Sequence, residues 1–64
     1  MMIQDHDVIE AMKRYGGSFV FYLAEAAAHA DAENLAKIKA TWPEYWKQYE
    51  DMARLALKKE KAQP

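Results

Sequence analysis

Residues Phe19 to Ala30 run Phe-Val-Phe-Tyr-Leu-Ala-Glu-Ala-Ala-Ala-His-Ala, and only Glu25 and His29 among them are strongly polar. No other stretch restricts the fold as tightly. With side chains advancing about 100° per residue, a helix here gathers Ser18, Tyr22, Glu25 and His29 into one narrow strip. Phe19, Val20, Leu23, Ala24, Ala27 and Ala30 cover most of the remaining girth. A helix so widely apolar needs neighbours around it. The rest of the chain is therefore expected to package this segment.

The flanking sequence supplies three further helices. Asp7 with Glu10 three residues later fits a capping box, with Asp5 as a competing cap. Val8, Ile9, Met12 and Tyr15 then repeat at helical spacing, with Glu10, Lys13 and Arg14 outward. Gly16 is expected to end this helix in the left-handed conformation, and Ser18 to cap the apolar helix after the Gly17 turn. Asp31 reads as the cap of a third helix, followed by Asn34 at the third position and an inward stripe of Leu35, Ile38 and Trp42. Pro43 disfavours helical geometry at Trp42 and suits the first turn of a fourth helix. On that helix Tyr45, Trp46, Tyr49, Met52, Ala53 and Ala56 share one side, and Glu50 is placed to pair with Arg54. No strand-like alternation or repeat interrupts this pattern. The expectation is an all-α single domain, residues 1–64, a compact bundle of four short helices over 5–15, 18–30, 32–41 and 43–60.

Composition narrows the function classes. Sixty-four residues lie near the lower limit for one unaided core, and twelve of the apolar residues are alanine, which buries little area. A homo-oligomer would relieve that shortage. The absence of cysteine removes disulfides and thiolate metal sites, and two histidines offer a metal few nitrogens. No metal or cofactor is expected. The net charge of −1 divides into −3 for residues 1–32 and +2 for 33–64, too close to neutral for a general nucleic-acid binder. No run approaches a membrane span, and the N-terminus lacks signal-peptide character, so a cytoplasmic location is expected.

Each candidate cluster has a plain structural reading beside a functional one. Asp5-His6-Asp7 resembles an acid/base or metal cluster, but adjacent residues rarely converge on one ion and caps explain the acids. Glu25 and His29 sit one turn apart as a carboxylate–imidazole pair, with no nucleophile tied to them. Lys13, Arg14, Gly16, Gly17 and Ser18 combine two cations with glycine amides at a helix start, the elements of an anion or nucleotide site. The same glycines can simply turn a corner. Lys37, Lys39 and Lys47 lie near rings that could stack bases, although acids are interspersed. Trp42, Tyr45, Trp46 and Tyr49 crowd one short stretch, as core filler or as interface anchors. Phe21, Tyr22, Trp42, Trp46 and Leu55 are the protein-interface candidates. No nucleophile–base–orienter set can be assembled, so the expected role is non-enzymatic protein binding.

The run Tyr15-Gly16-Gly17-Ser18-Phe19-Val20, with Leu23-Ala24, Ala30-Asp31, Asn34, Ile38, Pro43-Glu44-Tyr45-Trp46, Tyr49 and Met52, resembles small helical proteins encoded by bacteriophages and prophages. The similarity spans about residues 8–53. It implies the cytoplasm of an infected bacterium and a host or phage protein as partner, and carries over no catalytic residue or cofactor.

Overall fold

The computed structural model describes residues 3–62, with side chains as far as residue 57. Four helices follow in order: α1 (Asp5–Tyr15), α2 (Ser18–His29), α3 (Ala32–Thr41) and α4 (Pro43–Ala62). The chain is all-α, a four-helix bundle with no strand among the described residues. Its extents are 38 × 24 × 19 Å, and the 20 residues of α4 alone span about 30 Å at 1.5 Å per residue.

Helix ends fall where local chemistry places them. Asp31 caps α3 by accepting the Asn34 N–H at 2.8 Å. Trp42 leaves helical geometry at φ −127° and ψ 62°, as the ring of Pro43 requires, and α4 begins at that proline. The other two starts fall at the expected residues, Asp5 and Ser18, but their caps differ. α1 takes Gln4 as its cap and Asp7 as the box's third residue, its carboxylate accepting the Gln4 N–H at 2.9 Å. Glu10 plays no part there. Gly17, not Ser18, is the cap of α2: it is already extended, so Ser18 falls within the first turn.

Gly16 is not left-handed. Its φ of −80° and ψ of 157° are open to any residue, and no glycine has positive φ. Space explains the residue instead. A Cβ at Gly16 would collide with Val20 and come within 2.6 Å of the Met12 carbonyl. The missing side chain lets the first turn of α2 close onto the end of α1. Gly17, by contrast, faces open space.

The core is centred on α1 rather than on α2. Val8 and Met12 are the largest fully buried side chains, with Ile9 and Ala11 beside them. Because α1 lies along α2 on one flank and α4 on another, it is covered from two directions. Val20, Leu23, Ala24 and Ala27 close the α2 side, and Trp46, Tyr49 and Ala53 the α4 side. The third helix contributes no buried residue; its Leu35 and Ile38 rest half-buried against the core. Lys39 ties it down, reaching Asp5 at 2.8 Å and lying 5.2 Å over the Trp46 ring.

Packaging of α2 is one-sided. Val20, Leu23, Ala24 and Ala27 are covered as expected, but Phe19 is 55% exposed, Phe21 38% and Tyr22 69%. Ala26 and Ala28 are exposed with them.

Candidate protein-interaction surface

Three of the five large hydrophobics exposed among the described residues, Phe19, Phe21 and Tyr22, lie on α2. Tyr22 lies near the middle of its open side, with Phe21 about 100° to one side and Phe19 about 60° to the other by helical geometry. Phe21 and Tyr22 meet edge to face, ring centroids 5.2 Å apart at 90°. Phe19 leans the other way onto half-buried Trp42 and Tyr45, at 6.0 Å from each. Together these rings form a partly open aromatic corner where α2, α3 and α4 approach.

Polar groups run down the same side. Ser18, Glu25 and His29 align with Tyr22, so the strip read from the sequence is present and faces outward. Glu25 is held by Lys13 of α1 at 2.7 Å. The hydrogen bond to the Lys13 ammonium holds the Glu25 carboxyl below its ordinary range. The same bond raises Lys13 above the ordinary lysine value. This pair is a surface seam between two helices.

The structure divides the remaining candidates. Trp46 is 8% exposed and belongs to the core, so it is withdrawn from the candidate surface; Trp42 stays at the half-buried corner. Leu55 is 63% exposed, but it sits on the side of α4 turned away from Trp46 and Ala53. Tyr15, expected inward, is 49% exposed and borders a groove of about 260 Å³ between α1 and α4. Arg14 lines that groove with Asp7 and Glu10.

At the glycine corner, Lys13 is engaged by Glu25, and the Gly16 N–H donates to the Met12 carbonyl at 2.9 Å. Asp5, His6 and Asp7 do not converge on one point: Asp5 pairs with Lys39, while Asp7 accepts the Gln4 amide through Oδ2 and lies 3.5 Å from His6 through Oδ1. The lysines near the rings are matched by acids, Lys37 with Glu33 at 3.8 Å, Lys39 with Asp5, and Lys47 with Asp51 at 3.4 Å. Among the described residues no three His, Cys, Asp or Glu side chains gather as a metal site.

No family model, curated protein or solved structure matches the chain. Function must therefore be argued from geometry. Among the described residues no helix is long and apolar enough to cross a membrane.

Phe19, like Tyr15, departs from the sequence pattern: the spacing places it on the covered girth, yet it occupies the first turn of α2 and is 55% exposed. Its nearness to the helix start was the available signal.

Proposed function

We propose that the protein is a non-enzymatic protein-binding module that contacts its partner through the open side of α2. The observation that carries this is the joint exposure of Phe21 and Tyr22, stacked edge to face beside the Phe19 corner. Rigid aromatic rings with few rotatable bonds supply contact area at low entropic cost and recur as interface anchors. Exposed apolar surface gathered on one face, rather than scattered singly, is the usual mark of an interaction site. The resemblance to phage-encoded helical proteins adds a context to this reading: a host or phage protein as target, met in a bacterial cytoplasm.

Affinity capture from bacterial lysate tests it, with wild type compared to Phe21→Ser and Tyr22→Lys. Both substitutions fall on exposed positions and should leave the circular dichroism spectrum unchanged while the captured protein is lost. Equal capture by folded Tyr22→Lys would sink the proposal. A melting temperature raised by millimolar pyrophosphate, with the rise abolished in Arg14→Ala, would replace it with an anion-binding role.

A further inference from the structure

The open side of α2 is built to fit its own image. We infer that a second copy of this chain docks on it, the two α2 helices antiparallel about a two-fold axis crossing between Leu23 and Ala24. This rests on the reading of α2 as a contact surface and adds a second, weaker occupant, the chain itself, which the partner would displace.

The first argument is the distribution of size along the helix. The exposed rings, Phe19, Phe21 and Tyr22, all lie in its first half, and the exposed small residues, Ala26 and Ala28, in its second. Reversing one helix against the other lays each ring-bearing half over an alanine-bearing half. Small residues allow close approach of helix axes. A parallel pair would instead crowd six rings at one end and leave the alanines facing a gap.

Polar complementarity gives the same register. About an axis between Leu23 and Ala24, Tyr22 comes abreast of the second copy's Glu25, and Ser18 abreast of its His29. A phenol then donates to a carboxylate, and a hydroxyl to an imidazole, twice each by symmetry. Lys13 engages Oε1 of Glu25, and among the described contacts Oε2 takes no partner. A parallel pair would set Glu25 against Glu25, a like-charge contact that costs affinity.

Area sets the strength. At about 200 Å² per ring, the exposed fractions of Phe19, Phe21 and Tyr22 leave about 320 Å² of ring surface per copy. Two copies bring about 650 Å² from rings, to which Ser18, Ala26, Ala28 and His29 add. That lies at or below the low end of specific interfaces, which begin near about 1,200 Å² in total. The dimer is therefore weak and reversible, formed as concentration rises.

Two measurements decide it. Sedimentation equilibrium from micromolar to millimolar protein should show the apparent mass climbing from 7.4 kDa toward twice that value, and Ala26→Glu should abolish the climb. Since the chain has no cysteine of its own, Ser18→Cys and His29→Cys each carry one thiol. Under mild oxidation a mixture of the two should form the crossed disulfide many-fold more than either forms with itself. Self-linking by each variant alone would mean a parallel pair and overturn the arrangement; equal yields in all three samples would mean random collision and do the same. A chain that stays monomeric at millimolar concentration removes the second copy as occupant. The contact-surface reading then stands or falls separately, on the capture experiment with Tyr22→Lys.

Discussion

The first two helices invert the ranking that their compositions suggest. α1 is an ordinary amphipathic helix with two acids in its first turn and two bases in its last, yet among the described residues it holds the largest fully buried side chains, Met12 and Val8. α2 is apolar over most of its girth, yet it leaves Phe19, Phe21 and Tyr22 in solvent. The difference is one of position. A helix flanked by two others is covered on two sides whatever its average hydropathy, whereas one at the edge of a small bundle is covered on one. Burial here follows the topology of contacts, and apolar surface in excess of the available neighbours remains exposed.

The largest test sets Met12 against Tyr22. Met12 is fully buried, so Met12→Ala should cost about 2–5 kcal/mol through lost transfer energy and a cavity. In a domain whose total stability is on the order of 5 kcal/mol, that approaches unfolding. Tyr22→Ser, on the more apolar helix, should stay within about 0.5 kcal/mol in dilute solution. Urea midpoints measure both. Comparable losses would mean that the open side of α2 anchors the fold as much as α1 does.

The two glycines between these helices sharpen the comparison. Gly16→Ala forces a methyl into Val20 and the Met12 carbonyl and should cost about 1–3 kcal/mol, the range for overpacking. Gly17→Ala meets nothing; the gain from a restricted unfolded chain, about 0.4–1 kcal/mol, is offset by the preference for glycine over alanine at the cap of α2, so the net change should stay within about 0.5 kcal/mol. The urea midpoint should therefore fall for Gly16→Ala and barely move for Gly17→Ala, with an unchanged slope. Equal losses at both positions would mean that the corner is set by the caps and not by the space beside Val20.

A smaller effect concerns α3, which stands lower still than α2, with no buried residue. Its amides should exchange with solvent well before those of α1. Removing the Lys39 contacts to Asp5 and Trp46 by Lys39→Ala should speed that exchange further, by about 0.5–1 kcal/mol of opening free energy. Uniform exchange across the two helices would show that the bundle opens only as a unit.

The helix boundaries could be read from the chain because their causes are local. Asp31 and Pro43 act within one turn of themselves, and two adjacent glycines interrupt any helix. The outward strip of α2 was legible for the same reason, through its spacing. What could not be read depends on residues brought together from afar. The need for glycine at position 16 comes from where Val20 comes to lie, a matter of how two helices meet. Phe19 and Trp46 are both large aromatics, yet Trp46 is buried where α4 packs on α1 and Phe19 is 55% exposed. The spacing puts Lys13 outward beside the glycine corner, and only the approach of α2 pairs it with Glu25.

That seam provides the smallest and most specific test, because among the described residues it is the ion pair joining the buried helix to the exposed one. Glu25 is lowered from the ordinary carboxyl value of 4.5 by the Lys13 hydrogen bond, so its contribution is present above that value and lost as pH falls through the lowered one. Lys13 is raised from 10.5 by the same bond, so its contribution is present below 10.5 and lost as pH rises through the raised value. The melting-temperature difference between wild type and Glu25→Gln should therefore be small and flat around neutrality. It should vanish in strong acid and in strong alkali, and shrink with added salt because both groups are partly exposed. A difference that persists in acid, where the carboxylate is protonated, would mean that Glu25 holds α2 to α1 by packing rather than by charge.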